Sequence, residues 1–340
     1  MKYLGKNSVV PFCLALLCPV SAWANVAKTN GTLVVKPYAA DFQKLKEGAN
    51  LSGEEPFTGI GNLHYSGQGA PQNDQEAFAQ HRKAAEQGDA SAQNALGTMY
   101  ANGWGVSKND QEAVAWYRKA AEQGNANAQN NLGVMYGLGR GVPQNDQEAF
   151  VWLCKAAEQG DASAQNSLGL MYNLGRGAPQ NDQAAVDWYR KAAEQGNVDA
   201  QNNLGVMYYV GRGVPQNDQK ALSWYRKAAD LGAASAQSNL GWMYAKGQGV
   251  PQDDQKAFAW FRKAAEQGIA HAQNVLGVAY AKGLGAPKDD SQAFAWYRKA
   301  AEQGAAEAQN NLAVMYANGR GVPQNHPEAM VWYRKAAEQK

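Results

Sequence analysis

The chain has 340 residues, and 32 basic against 30 acidic side chains give it a formal net charge of +2. A chain so close to neutral has no bulk field to attract DNA, RNA or anionic lipid, so we expect no nucleic-acid partner. Ten Trp and sixteen Tyr supply ample apolar surface for a core, which excludes a disordered chain. Three Cys are too few for a dense disulfide framework.

Residues 1–24 have the three-part pattern of a signal peptide. Two lysines precede an apolar run at 9–20, and Ala22 and Ala24 are small residues of the kind that a signal peptidase recognises. Twelve apolar residues are too few to span a bilayer, which takes about 20. We therefore expect cleavage after Ala24, no membrane span, and a location in the periplasm, in the medium or at the cell surface.

The remainder of the chain repeats one unit every 36 residues. The string Ala-Glu-Gln-Gly recurs in this phase at 85–88, 121–124, 157–160, 193–196, 265–268 and 301–304. Such a fixed period is typical of a solenoid, in which each unit buries its apolar face against its neighbours. We divide the chain into a polar lead-in at 25–52, a degenerate capping repeat at 53–88, and seven repeats at 89–124, 125–160, 161–196, 197–232, 233–268, 269–304 and 305–340.

Each repeat is predicted to contain two helices. In the repeat 89–124, Asp89 is the expected N-cap of the first helix and Gly103 its stop. A loop then leads to Asp110, the expected N-cap of a second helix. The apolar stripe of that second helix has the spacing i, i+3, i+4 and i+7, at Ala113, Trp116, Tyr117 and Ala120.

Two aromatic positions recur in all seven repeats. Because every repeat must solve the same packing problem, we interpret both series as core, not as stacking platforms for sugars or bases. The tyrosines of the first helices are Tyr100, Tyr136, Tyr172, Tyr208, Tyr244, Tyr280 and Tyr316. The tryptophans of the second helices are Trp116, Trp152, Trp188, Trp224, Trp260, Trp296 and Trp332.

No residue pattern predicts a catalytic site, a cofactor or a metal. The four histidines lack metal-ligand spacing, and His81 falls in the degenerate repeat, where we expect surface positions. The aspartate pairs at 253–254 and 289–290 lie where a loop meets a helix, and capping explains them better than calcium binding. Cys154 is interpreted as a packing residue. The loop arginines are expected to be solvated, at Arg140, Arg176, Arg212 and Arg320.

The repeat resembles a known family. The pattern Ala-Gln-x-x-Leu-Gly-x-x-Tyr-x-x-Gly-x-Gly-Val, followed by Ala-x-x-Trp-Tyr-x-Lys-Ala-Ala-Glu-Gln-Gly, is similar to the Sel-1-like repeat (SLR), a relative of the tetratricopeptide repeat. The resemblance implies an all-α, right-handed α/α superhelical solenoid. It also implies a concave face, lined by the first helices, that binds proteins.

The resemblance bears on function as well. Many bacterial SLR proteins are exported and act in envelope signalling, surface adhesion or contact with host cells. The leading hypothesis is therefore an exported, non-catalytic scaffold for protein–protein interaction. The alternative is a peptidoglycan- or β-lactam-directed enzyme, as in a cysteine-rich branch whose repeat cysteines this chain lacks.

The resemblance places five positions of each first helix on the concave face. In the repeat 89–124 they are Ser91, Asn94, Thr98, Ala101 and Asn102. One of these positions is nearly always Asn, whose amide either holds the main chain of a bound peptide or forms hydrogen bonds between repeats. We assign this role, with both alternatives open, to Asn94, Asn130, Asn166, Asn202, Asn274 and Asn310.

Other concave positions vary from repeat to repeat. The predicted partner-binding residues among them are Leu138, Leu174, Val210, Tyr209, Trp242, Lys246 and Lys282. An aliphatic groove ending in an aromatic ring and two lysines suits a protein or peptide ligand with an acidic end. Drift on a solvated surface is the other explanation. Self-association is predicted at the C-terminal edge, near Trp332 and Tyr333.

Overall fold

A computed structural model describes residues 73–338. The predicted signal peptide, the lead-in and most of the capping repeat lie outside the described residues. Within 73–338 the chain forms fifteen α-helices and no strands, which confirms the predicted all-α repeat fold. The helices are α1 Asp74–Glu86, α2 Ala90–Asn102, α3 Asp110–Glu122, α4 Ala126–Leu138, α5 Asp146–Glu158, α6 Ala162–Leu174, α7 Asp182–Glu194, α8 Val198–Val210, α9 Asp218–Asp230, α10 Ala234–Lys246, α11 Asp254–Glu266, α12 Ala270–Lys282, α13 Asp290–Glu302, α14 Ala306–Asn318 and α15 His326–Ala337.

The described residues form two compact units, an N-terminal unit at 73–195 and a C-terminal unit at 196–338. The N-terminal unit contains α1–α7 and the C-terminal unit contains α8–α15. Inside each unit every helix packs against the next helix along the chain. The first helices of the repeats are α2, α4 and α6 in one unit and α8, α10, α12 and α14 in the other.

Asn or Asp side chains cap most of the described helices, whereas α10, α12 and α14 have no side-chain cap. As predicted, Asp89 caps a first helix, since its Oδ1 accepts from the amide of Ala92 at 2.6 Å. The prediction for Asp110 was wrong, because the helix begins one residue earlier and Asn109 caps it by accepting from two backbone amides. Either residue of an Asn-Asp pair can cap, and using the first leaves the aspartate carboxylate for other contacts. Capping is confirmed for the first members of the aspartate pairs, Asp253 and Asp289.

The core fills the space between successive helices, both within a repeat and from one repeat to the next, as the buried cluster of α5 and α6 residues shows. Gly97 lets α2 approach α3, because a Cβ at this position would lie 2.7 Å from Cδ1 of Tyr117. The deepest aromatic rings are therefore those at the Tyr117 position, one residue after the tryptophans. The buried members of that series are Tyr117, Tyr189, Tyr225, Phe261 and Tyr297.

The tryptophans of the second helices correct the sequence-based interpretation. Six of the seven are half-buried, and only Trp332 is buried. A lysine three residues later covers each ring, with Nζ 3.9–4.2 Å from the ring centroid. The exposed ring face thus carries a cation–π contact in place of core packing.

His81 is also not where the sequence predicted it. It occupies the Tyr117 position of its repeat and is only 2% exposed. Burial lowers the pKa of its imidazole to about 4, so the ring is neutral at pH 7. A neutral imidazole is compatible with the apolar surroundings that an aromatic ring occupies in later repeats.

Candidate functional site: the first-helix face

The first-helix face consists of five positions on each first helix. In α2 these positions are Ser91, Asn94, Thr98, Ala101 and Asn102, and the other first helices of either unit contribute the equivalent positions. Their spacing of three and four residues places them on one side of a helix. The helices that supply them end at glycines in the left-handed region, as Gly103 does at a φ of 76°. Equivalent positions in successive repeats are called a register below.

Hydrogen bonds between amide side chains join neighbouring first helices. Nδ2 of Asn131 donates to Oδ1 of Asn94 at 3.0 Å in the N-terminal unit. Asn239 donates in the same way to Asn202 in the C-terminal unit, also at 3.0 Å. The same bond at 3.0 Å joins Asn311 to Asn274. These contacts confirm the interpretation in which the Asn register forms hydrogen bonds between repeats. The other interpretation, in which these amides hold the main chain of a bound peptide, stays a prediction.

The amide ladder breaks where the next repeat lacks an amide donor. Ser167 stands opposite Asn130, and the Oδ1 of Asn130 is buried without a hydrogen-bond partner. Val275 stands opposite Ser238, whose Oγ is likewise buried and unpartnered. The Asn register is also unevenly accessible. Asn130, Asn202 and Asn274 are buried, Asn94 and Asn166 are half-buried, and Asn310 is exposed.

The first-helix face of the N-terminal unit is uncharged. None of its fifteen positions in α2, α4 and α6 carries Asp, Glu, Lys, Arg or His. Thr98 accepts a hydrogen bond from the hydroxyl of Tyr117 at 3.1 Å, so this part of the face rests on the core ring beneath it. Leu138 is half-buried, and Leu174 is 47% exposed. This unit therefore offers amides and aliphatic side chains.

The first-helix face of the C-terminal unit has an aromatic centre. Nε1 of Trp242 in α10 donates to Nε2 of His271 in α12 at 2.9 Å. The two rings lie within 15° of parallel with centroids 5.7 Å apart, so they extend side by side as one flat surface. We call these two residues the Trp–His plate. Phe261 supports it, meeting the Trp242 ring edge-on at a centroid distance of 5.8 Å.

The His271 imidazole is neutral at physiological pH. Burial lowers its pKa to about 4. This state is the one that the geometry requires, because Nε2 must be unprotonated to accept from Trp242. The residues predicted for the concave face did not include His271. The sequence does contain a sign of its role, because the register of Ser91 holds Ser in three repeats but His in the repeat that follows Trp242.

Two lysines lie at the C-terminal ends of first helices in this unit. Lys246 and Lys282 are exposed and are the last residues of α10 and α12. Nζ of Lys246 lies 5.4 Å from the Trp242 ring centroid, so two predicted binding residues are brought together. Tyr209 reaches the loop after α10, where its hydroxyl donates to Oε1 of Gln248 at 2.8 Å. Val210 beside it is half-buried.

Three of the loop arginines link adjacent repeats, which corrects the prediction that the loop arginines are solvated. Arg140 binds both carboxylate oxygens of Asp110, with the shorter Nη2–Oδ1 distance 2.6 Å. Arg176 does the same to Asp146 and also donates to a main-chain carbonyl of the preceding first helix. The Arg320–Asp290 pair repeats the arrangement. Hydrogen bonds from the guanidinium lower the pKa of each partner carboxyl, on Asp110, Asp146 and Asp290.

Residues 73–338 contain no cluster of three or more His, Cys, Asp or Glu side chains that could hold a metal ion. None of the helices in this range is long and apolar enough to cross a membrane. Cys154 is half-buried against the core, and burial raises the pKa of its thiol to about 11.

The chain matches the Sel1 repeat family in eight segments, at 58–89, 90–125, 126–161, 162–197, 198–232, 234–269, 270–304 and 306–340. It is similar to the solved structure of c5321, a protective antigen present in uropathogenic Escherichia coli strains that displays an SLR fold. Identity is 42%, the match covers 88% of this chain and 64% of that chain, and the TM-score is 0.73. This chain therefore spans less than two thirds of the length of the E. coli antigen.

A second similar structure is a Sel1 repeat protein from Oxalobacter formigenes. Identity is 34%, the match covers 94% of this chain and 96% of that chain, and the TM-score is 0.64. No curated protein sequence matches the chain. The eight matched segments and the packed helix pairs agree, and this chain belongs to the Sel1 repeat family, whose members are generally non-catalytic scaffolds for protein interaction.

Proposed function

We propose that this protein is an exported, non-catalytic scaffold that binds a peptide or protein on its first-helix face. The observation that carries the proposal is the contrast between registers. Positions that join helices repeat with little change, whereas the register of Thr98 runs through Val134, Leu170 and Trp242. Variation on a fixed frame is how repeat proteins set the specificity of a binding surface.

Affinity capture followed by mass spectrometry tests this function. The baits are the chain from residue 25 onward and a variant carrying Leu138→Asn, Leu174→Asn, Trp242→Val and Lys246→Asn. Each replacement already occurs at the same register in another repeat, so we expect the helix frame to persist. Bacterial envelope and host-membrane extracts are offered to both baits, and we expect a partner that the first bait holds and the variant loses.

A matched control removes exposed apolar side chains away from this face. Val151 and Val331 lie on second helices and are 47% and 44% exposed. The double variant Val151→Ala, Val331→Ala is expected to retain the partner. Equal loss of the partner from both variants, or equal retention by both, would contradict binding on the first-helix face.

Export is part of the proposal, and its support is the three-part pattern of residues 1–24. We expect the protein to be recovered from the periplasm, the surface or the medium, with Asn25 as its first residue. Cell fractionation and N-terminal sequencing measure both. Recovery of a chain that still begins at Met1 from the cytosol would contradict export.

Contact with host cells is proposed on the similarity to the c5321 antigen. We expect antibodies against this protein to label intact bacterial cells. Labelling only after permeabilisation would instead favour a role in the periplasm, including envelope signalling.

The enzymatic alternative has a direct test. We expect no turnover of a chromogenic β-lactam and no release of fragments from purified peptidoglycan. At pH 7 a thiol with a pKa of about 11 is almost fully protonated, so Cys154 is poorly suited to nucleophilic attack. Saturable hydrolysis of either substrate would overturn the non-catalytic assignment.

Self-association at the C-terminal edge remains a proposal as well. Met330 and Val331 in α15 are 52% and 44% exposed, whereas Trp332 is buried. Any contact between copies would therefore use these two side chains and not the tryptophan. Analytical ultracentrifugation of the chain and of Met330→Ala, Val331→Ala distinguishes a dimer that the variant loses from a protein that is monomeric throughout.

A further inference from the structure

We propose that the first-helix face of the C-terminal unit binds an acidic peptide segment. An aromatic side chain of the segment lies on the Trp–His plate, and its carboxylates meet Lys246 and Lys282. The inference rests on the proposed function and names the chemistry of the ligand at that same face. It concerns only α10 and α12, which belong to one unit.

The plate has the properties of an anchor site. Trp242 donates its ring N–H to His271, so an apolar ligand ring that covers the plate leaves the Trp242 donor satisfied. Phe261 supports the plate from the side, and Trp242 is half-buried. A partly exposed tryptophan on a supported surface is the residue type that dominates binding energy at protein interfaces.

The helix frame does not require this tryptophan. The other first helices of the C-terminal unit carry valine at the same register, at Val206, Val278 and Val314. These valines occupy the same kind of helix and the same kind of repeat. Trp242 is thus an addition to a frame that forms without it, which favours a role in binding.

Charge complementarity selects the ligand. Among the described residues, no ion pair involves Lys246 or Lys282. Lysine at a helix C-terminus is favourable to the helix dipole, but first helices elsewhere end in Leu138, Leu174 or Val210. The face also carries Asp199 and Glu307, each the second residue of its helix. The second and last residues of a 13-residue helix are about 16 Å apart along the axis, so these carboxylates lie at the opposite end of the face from the lysines. Ligand carboxylates are accordingly drawn to the lysine end.

The two lysines present two positive charges to one ligand. The Trp242–His271 hydrogen bond joins α10 to α12, the first helices of successive repeats. Lys246 and Lys282 share a register as the last residues of these two helices. The ligand therefore needs at least two acidic residues, one for each lysine.

Selection from a phage-displayed library of random dodecapeptides tests the inference. The targets are the purified chain and a triple variant, Trp242→Val, Lys246→Asn and Lys282→Asn. Every replacement is the residue found at the same register elsewhere, as Val206 and Asn318 show, and thermal denaturation checks that the variant is folded. We expect the wild-type chain to select peptides with an aromatic residue and at least two acidic residues.

Fluorescence anisotropy then measures a selected peptide on each protein. We expect the triple variant to bind at least about tenfold more weakly, since it loses an aromatic anchor and two charge contacts. Replacing the peptide's acidic residues by their amides should weaken wild-type binding similarly, and added salt should reduce it. The control variant Lys263→Ala, Lys299→Ala removes the same charge from second helices and is expected to bind as the wild type does.

The outcomes separate this inference from the proposed function. Selection of neutral or basic peptides, or equal binding by the triple variant, would overturn the inference and leave the scaffold function standing. Selection of no peptide would also overturn it, and the capture experiment would then judge the scaffold function by itself. Equal weakening by the control variant would mean that net charge, and not this face, controls binding.

Discussion

The two units share a frame and differ on one surface. Both contain the same helix pairs, with an Asn or Asp cap on every second helix and close glycine contacts between helices, although α10, α12 and α14 of the C-terminal unit have no side-chain cap. The N-terminal unit presents an uncharged first-helix face of amides and aliphatic side chains, whereas the C-terminal unit presents the Trp–His plate with two exposed lysines. Registers that hold helices together are therefore shared, and registers that face away from those contacts carry the differences.

Loop contacts also vary between repeats. Bidentate Arg–Asp links join repeats at Arg140 and Arg176 in the N-terminal unit and at Arg320 in the C-terminal unit. Trp104, Gln248 and Leu284 stand at the same register in other repeats. Opposite Trp104, the Oδ1 of Asp74 is buried without a hydrogen-bond partner. A repeat can therefore lack the Arg–Asp link and still pack against its neighbour through the core.

The largest expected effect is a loss of stability in mild acid, with one histidine responsible in each unit. Burial lowers the pKa of both His81 and His271 to about 4, from 6.5. Between these values the unfolded chain binds protons that the folded chain does not, so stability present above pH 6.5 is lost as the pH falls toward 4. A shift of that size corresponds to roughly 3 kcal/mol for His81, and to less for His271, which is half-buried.

Urea denaturation at a series of pH values measures the effect. His81→Leu and His271→Ser place the residues of Leu153 and Ser235 at the same registers and should each flatten the slope between pH 6.5 and 4. The double variant should remove most of it. A slope unchanged by either substitution would contradict neutral, buried histidines.

The next effect concerns the shared frame. Gly97→Ala and Gly277→Ala would place a Cβ 2.7 Å and 2.6 Å from core tyrosine rings, one in each unit. Overpacking of this kind costs about 1–3 kcal/mol, and we expect similar losses in the two units. Chemical denaturation measures them, with the exposed change Lys282→Asn as a control expected within about 0.5 kcal/mol of wild type. A tolerant glycine in only one unit would mean that the frames differ.

The Arg–Asp links predict two smaller effects of opposite sign. Arg176→Leu removes a partly exposed bidentate pair and should lower the free energy of unfolding by about 1 kcal/mol. Leu284→Arg should raise it by up to about 1 kcal/mol, because the register places the new guanidinium beside Asp254. Both shifts should shrink in high salt. Shifts of the same sign, measured by denaturation, would contradict the assigned pairing.

The smallest expected effect repairs the amide ladder. Ser167→Asn offers a donor to the buried, unpartnered Oδ1 of Asn130, as Asn131 does to Asn94. We expect a gain of about 0.5–1.5 kcal/mol in the free energy of unfolding. Ser167→Ala is the control and should give no gain. Equal stability of Ser167→Asn and Ser167→Ala would mean that the ladder geometry does not extend to this repeat.

The 36-residue period was sufficient to predict the helix pairs, because the same stop glycine and the same apolar stripe recur in every repeat. It could not show the Arg140–Asp110 link, since those residues are 30 positions apart and meet only when neighbouring repeats stack. The half-buried tryptophans were a different error. Lys119 stands three residues after Trp116 on the same helix, so the covering lysine could have been read from the sequence.

The binding face was only partly predictable. Trp242, Lys246 and Lys282 stand out as departures from their registers, which a sequence shows directly. His271 stands out in a different register, and its bond to Trp242 depends on how α10 lies against α12. The burial of Asn202 and Asn274 was equally beyond the sequence, because the donors to them come from the next repeat.

Photo-cross-linking tests most directly whether function lies on the first-helix face. The tightest-binding dodecapeptide is made with benzoylphenylalanine in place of its aromatic residue, irradiated with the purified chain, and the linked residues are identified by mass spectrometry. We predict links within α10 and α12, near Trp242 and His271, and none after Trp242→Val. Links concentrated on the second helices α11 and α13, unaffected by that substitution, would contradict the account.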